Sequence, residues 1–94
     1  MKLVFEWDEA KAKANQAKHK VSFEEGKTVF NDPLLMTWLD SEHSVNEERY
    51  INMGMSARGH VLILTHTERE SKIRIISCRK ATPSERIFYE EDNT

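Results

Sequence analysis

Three strand-forming runs follow one another almost without interruption in the second half of the chain: RYINMGMS (49–56), HVLILTHT (60–67) and KIRIISCR (72–79). Only Ala57 to Gly59 separate the first pair, and only Glu68 to Ser71 the second. Connections this short cannot carry a parallel crossover, which needs a dozen residues or more, so neighbouring runs are expected to pair as antiparallel hairpins. An antiparallel sheet is therefore the centre of the fold. A chain of 94 residues leaves room for one compact domain around it, spanning 1–94, and not for two independent cores.

The flanking segments supply the other layer. LVFEW (3–7) reads as a short first strand, after which Asp8 caps a helix, with Glu9 in the first turn where the helix dipole favours an anion. Ala10, Ala14 and Ala17 form that helix's small apolar stripe. Ser22 and Glu25 have the spacing of a capping box for a second, short helix with Phe23, Val29 and Phe30 on its apolar face, stopped by Asn31, Asp32 and Pro33. LLMTWL is then a strand and DSEHSVNEE a polar loop. The last helix has a full start, with Thr82 as N-cap, Pro83 at the first position and Glu85 closing the box, and it ends in an acidic tail expected to fray. The expected fold is α+β, in the order β-α-α-β-β-β-β-α. It has an antiparallel sheet with helices packed on one face and the other face open for function.

Charge locates that function. The formal net charge is −2, yet residues 1–48 carry six Lys/Arg against ten Asp/Glu, whereas residues 49–89 carry eight against three. A local basic surface can hold a polyanion while the molecule as a whole stays acidic, because screening restricts the interaction to nearby charges. Arg74, Arg79, Lys80 and Arg86 all fall between residues 72 and 86. Strand alternation puts Ile73, Ile75, Ser77 and Arg79 on one face and Arg74, Ile76 and Cys78 on the other, provided no bulge intervenes. Apolar residues on both faces mark an interior strand, whose arginines emerge at the sheet margin or into a groove. There they meet a surface carboxylate such as Glu68 or Glu85, or a phosphate held by bidentate, charge-assisted hydrogen bonds.

Few other residues have the chemistry to act beside them. His19 lies in AKHKV between Lys18 and Lys20, either as a helix C-terminal cation or as a proton carrier. Glu68 and Glu70 flank Arg69 in the last hairpin, as solvated turn residues or, for one of them, as a base near the arginines. His43 reads as solvated, and His60 and His66 as surface or core. Trp7, Trp38, Phe23 and Phe30 read as core, whereas Tyr50 and Tyr89 are open between core and a base-stacking margin. Cys78 is a lone cysteine, hence a small core residue without an internal disulfide. No phosphate-cradling glycine loop, nucleophile elbow or metal-ligand spacing occurs, which disfavours nucleotide cofactors and metal catalysis. No apolar run approaches the ~20 residues of a membrane span and the N-terminus does not read as a secretory signal, so the expected location is the cytoplasm, with no membrane partner.

Three stretches, FEWDEAKAKANQAKHKVSFEEGKTVFNDP, EERYINMG and TERESKIRIISCRKATPSER, cover most of the chain. In that order they resemble the BrnT family, RelE-like ribonuclease toxins of type II toxin-antitoxin systems. The resemblance implies a RelE-like fold, metal-independent RNA cleavage that inhibits translation, and a BrnA-like antitoxin partner. That antitoxin carries the DNA-binding domain, and the pair represses its own operon, so DNA is reached only through the antitoxin. By position, Arg74 and Arg79 belong to the RNA-cleaving groove, with His19 and Glu68 as candidate proton carriers. Lys18, Lys20, Arg69 and Lys80 are candidate RNA contacts. One departure is visible: the family usually reads Lys-His-Gly-Val where this chain has Lys18, His19, Lys20 and Val21, so a turn that favours left-handed backbone has lost its glycine. The competing reading is a non-enzymatic binding module, a partner in a transcriptional repressor or a protein that occupies RNA or the ribosome without cutting. Direct DNA readout by this chain is disfavoured, since its basic residues are predicted on strands and no basic recognition helix exists.

Overall fold

The computed structural model describes residues 2–92. Its elements are β1 (Phe5–Glu6), α1 (Glu9–His19), α2 (Phe23–Gly26), β2 (Met36–Leu39), β3 (Arg49–Met55), β4 (Val61–Arg69), β5 (Lys72–Lys80) and α3 (Pro83–Asp92). Short 3-10 turns occupy Lys27–Asn31 and Ser41–His43. The α+β class and the order of elements are those expected. The strands form one sheet in the order β1-β5-β4-β3-β2.

Two details differ from the expectation. The first is that β1 runs parallel to β5, with Phe5 opposite Ile73 and Glu6 opposite Arg74, so the sheet is mixed. Only the meander β2 to β5 is antiparallel. The short turns dictate direction within the meander, whereas β1 is joined to β5 through most of the chain and is free to pair either way. The second concerns α3. Val21, Phe23 and Val29, from α1's exit, α2 and the following turn, pack with Leu62, Leu64, Ile73, Ile75 and Cys78 on one sheet face. Tyr89 of α3 instead packs with Met53, Val61 and Ile63 on the opposite face. Strand alternation makes β4 apolar on both sides, so both faces need cover, and α3 supplies it at one end of the second face.

Caps set where the helices begin and stop. Asp8 Oδ1 accepts from the Lys11 N–H at 3.0 Å at the start of α1. At its other end Lys20 has φ 61° and ψ 28°, the left-handed conformation from which its N–H donates to Gln16 O. The glycine-favouring turn is thus kept with a lysine in it. Ser22 Oγ accepts from the Glu25 N–H at 3.0 Å, but the Glu25 carboxylate does not return the bond. It goes instead to Ser56 Oγ and His60 Nδ1, both at 2.7 Å, pinning α2 to the β3–β4 turn. In α3 the box is complete: Glu85 N–H donates to Thr82 Oγ1 at 3.2 Å and Thr82 N–H to Glu85 Oε1 at 2.8 Å. The helix holds through Asp92; the end of the tail expected to fray, residues 93 and 94, lies outside the described residues.

α1 and α2 approach β5 closely for two local reasons. Gly26 has no Cβ, and one added there would meet Cys78 Sγ and Leu64 Cδ1 at 3.0 Å. Asn15, buried in α1, treats β5 as a neighbouring strand would: its Oδ1 accepts from Cys78 N–H at 3.1 Å while its Nδ2 donates to Cys78 O at 2.8 Å and to Val21 O at 3.2 Å. β1 covers only Ile73 and Arg74, so this carboxamide satisfies the Cys78 backbone groups on the part of the β5 edge that β1 leaves bare. Among the described residues no helix is long and apolar enough to cross a membrane.

Candidate active site

One irregularity in the sheet brings the arginines together. Thr65 faces Ser77 across β4 and β5, but the next residue, His66, faces Ile75, so Ile76 is an extra residue without a partner. This β-bulge resets the alternation. Ile73, Ile75 and Cys78 all enter the helix-covered core, and Arg74, Ser77 and Arg79 all lie on the other face. The regular alternation expected from sequence would have split Arg74 from Arg79; the bulge puts both on the face that α1 and α2 leave open.

A groove of about 430 Å³ crosses that face. Arg79 and Ser77 of β5, Thr65 of β4 and Trp38 of β2 line it, with His19 at the end of α1 and Glu85 in the first turn of α3. Asn15 fixes the C-terminal half of α1 against Cys78, which is why His19 reaches a groove on the far side of β5. Trp38 was expected in the core. It is 42% exposed, because β2 is an edge strand and none of the described residues forms a strand beyond it.

Glu85 is the most tightly engaged of these groups. Its Oε1 and Oε2 accept from Arg79 Nη1 and Nη2 at 2.8 and 2.9 Å, and Oε1 also accepts from the Thr82 N–H. The Arg79 guanidinium, helped by that N–H, pulls the carboxyl down to about 2, against the weaker upward push of burial. In return Glu85 raises the guanidinium further above its ordinary value. Arg79 Nη1 also donates to Lys80 O, which leaves Nε–H and one Nη2 hydrogen of the five donors without a partner among the described residues. Arg79 is therefore a fixed cation with two donors to spare. Cys78 presents no nucleophile: its thiol is buried, and burial pushes it up to about 12.

The other sequence candidates are dispersed. Arg74 shares the open face but lies outside the groove lining, with Nη1 3.3 Å from Glu6 Oε2 across the β1–β5 pair. Glu68 stands opposite Ile73 at the far end of β4, 3.8 Å from His66 Nε2, and is not beside the arginine groove. Arg69 contacts Glu47 at 3.4 Å. Lys18 and Lys20 flank His19 on the exposed end of α1, and Lys20 Nζ donates to Ala17 O at 3.0 Å. Lys80 lines a second groove, beyond α3. Of the aromatic residues left open, Tyr89 is buried and hydrogen-bonded to Asp32, and Tyr50 stacks on His66 at 5.2 Å on the covered face. Ser77 and Thr65 had no signal in the sequence that singles them out and are united with Trp38 by the sheet pairing, whereas Asn15 is placed by its hydrogen bonds to β5.

Over residues 7–85 the chain matches the family described as ribonuclease toxin, BrnT, of type II toxin-antitoxin system. Among solved structures it is similar to the 1.1 Å crystal structure of the Brucella abortus ribonuclease toxin, BrnT, with 19% sequence identity and a TM-score of 0.66. That similarity covers 86% of this chain and 99% of the other, and at this identity it speaks for the fold. No curated protein sequence matches.

Proposed function

The chain belongs to the BrnT family of type II toxin-antitoxin ribonuclease toxins, and from that premise we propose that it is an endoribonuclease whose scissile phosphate sits in the groove between Arg79 and His19. One observation carries the reading: a fixed guanidinium and an imidazole line one open groove on the sheet face that α1 and α2 leave open, with two hydroxyls, Ser77 and Thr65, on its floor.

The chemistry follows from the residue types. Attack of the RNA 2′-hydroxyl on the adjacent phosphorus makes a pentacoordinate phosphorane, and loss of the 5′-oxygen leaves a 2′,3′-cyclic phosphate. One proton leaves the 2′-hydroxyl, one is given to the 5′-oxygen, and extra negative charge develops on phosphate oxygens. The two spare donors of Arg79 meet that charge, and because Glu85 already holds the guanidinium, little reorganisation accompanies the step. His19 moves the protons, since a neutral imidazole accepts one and its conjugate acid donates one. Glu85, a strongly acidic carboxyl committed to Arg79, serves as its orienting partner. Trp38 offers a ring on which a neighbouring base stacks. Arg74, on the same face, acts as a more distant phosphate contact. No step in this scheme calls for a metal. A BrnA-like antitoxin neutralises the toxin, and the complex represses its own operon.

One observation favours the competing reading, a module that binds RNA or a repressor partner without cutting: Arg79 is already neutralised by Glu85. Incubation of purified protein with labelled RNA in EDTA separates the two. New ends bearing 2′,3′-cyclic phosphate support the nuclease, and binding without new ends, on free and ribosome-bound RNA alike, supports the module. Copurification with the product of an adjacent open reading frame tests the antitoxin.

A further inference from the structure

Helix α3 stands between two grooves, giving Glu85 to the first and Arg86 and Glu90 to the second. The second groove, about 330 Å³, has Met55 and Val61 on its lining and Lys80 and His60 beside them. β5 feeds both: Arg79 lines the first and the next residue, Lys80, lines the second, as expected where consecutive strand residues diverge. The β3–β4 turn that supplies Gly59 and His60 also carries Arg58.

Arg86 of this second groove and Arg58 beside it differ from the other arginines of the chain. Arg49, Arg69, Arg74 and Arg79 each have a carboxylate within ion-pair distance. The side chains of Arg58, Lys80 and Arg86 have neither ion pair nor hydrogen bond among the described residues, although Glu90 is nearby on α3. His60 is tethered by Nδ1 to Glu25, which holds the ring at the groove and leaves Nε2 without a protein partner among the described residues. Unpaired basic side chains around an apolar floor match the two parts of a nucleotide. A base would pack on Met55 and Val61 by apolar contact, and a phosphate would be met by Lys80 and Arg86.

We propose that this groove is a second RNA subsite, holding the phosphate and base of a nucleotide next along the strand from the one cleaved, on the other side of α3. The proposal rests on the ribonuclease reading above. It assigns Lys80 and Arg86 to substrate binding and gives them no part in the chemistry.

The test uses the whole protein and a fluorescein-labelled single-stranded RNA with 2′-O-methyl groups, which binds but cannot be cut. Affinity is read by anisotropy at several salt concentrations for wild type and K80A/R86A. The double variant is expected to bind several-fold more weakly, with a log K against log salt slope shallower by about 0.7, the contribution of the single-strand phosphate that the two side chains share. On cleavable RNA it should raise KM and leave kcat unchanged, and K80R/R86K should restore affinity. Equal affinity and slope in wild type and K80A/R86A would overturn the subsite while leaving the ribonuclease reading intact. Loss of antitoxin binding with RNA affinity unchanged would overturn it too, identifying the groove as a protein contact. A wild-type protein that bound no RNA would remove both readings together.

Discussion

Glu85 joins two functions in one carboxylate: Oε1 closes the cap of α3 on the Thr82 N–H while both oxygens grip Arg79 at 2.8 and 2.9 Å. The start of the last helix and the direction of the groove's arginine are therefore one arrangement. Replacing Glu85 with Gln removes the charge and one of the paired acceptors. Part of the cap and a partly exposed ion pair are lost, so urea unfolding at pH 7 should show a loss of about 1–2 kcal/mol, with screening limiting the contribution of the pair. Cleavage should fall as well, through a mispositioned Arg79, and E85D should recover less than wild-type activity because its shorter reach cannot hold both contacts.

The same pair makes a pH prediction. Glu85 has a folded value of about 2 against an ordinary 4.5, so the folded state binds this proton less readily than the unfolded one. Its stabilisation is present above about pH 4.5 and is lost as pH falls toward 2. Unfolding free energies of wild type and E85Q should converge across that window. Parallel curves at all pH values would show that Glu85 is not held by Arg79 in solution.

Buried His66 gives a second window, at higher pH. Burial against Phe30 and Tyr50 lowers its value below 6.5, only partly countered by Glu68, and Asn52 Nδ2 donates to its Nδ1 at 2.7 Å. The unfolded state thus binds this proton more readily. Stability is complete above about pH 6.5 and declines below it, and the slope below that pH should be reduced in H66Q relative to wild type. NMR titration of the imidazole checks the direction independently.

How much of this was legible beforehand depended on the range of the interaction. Caps at Asp8, Ser22 and Thr82 are made within three residues, and the hairpin turns within four, so local pattern located them and with them the α+β order. The cysteine likewise read correctly as inert core. The direction of β1 depends on partners some seventy residues away in sequence, and the second half of the Ser22 box was lost when Ser56 and His60 competed for Glu25. The bulge at Ile76 has no composition of its own, being one isoleucine beside another, yet it decides which face Arg74 shares. Trp38 looked like core because a tryptophan usually is; its exposure follows from β2 lying at the sheet edge. The Lys20 turn was legible only through the family resemblance, which puts a glycine where this chain has a lysine; the left-handed backbone there is the structure's.

Left-handed positions without glycine offer a stability test. Lys20 has φ 61°, and Glu70 and Ser71, the two central residues of the β4–β5 turn, have φ 54° and 65°. K20G and the pair E70N/S71G should each stabilise the protein by about 0.5–1 kcal/mol in chemical denaturation, since Gly and Asn adopt this backbone at less cost and Asn-Gly is the favoured two-residue hairpin turn. No gain at either site would mean that the turns relax in solution.

Asn15 is the device that carries His19 to the groove, and N15A strips partners from Val21 O, Cys78 O and Cys78 N–H together. A loss of about 2–4 kcal/mol is expected from these buried backbone groups. At a temperature where N15A remains folded, its cleavage rate should drop and its pH profile should change, because His19 is no longer held at the groove that Arg79 lines. An unaltered profile would separate α1 from the chemistry.

The central claim is that Arg79 stabilises the phosphorane. Single-turnover cleavage of labelled RNA in EDTA by wild type and R79A, both verified as folded by thermal melt, addresses it most directly. Wild type should generate 2′,3′-cyclic phosphate ends, and R79A should be slower by about 10²–10³-fold, the usual cost of removing a preorganised donor from developing charge. Wild-type cleavage and undiminished growth arrest in R79A would contradict the account.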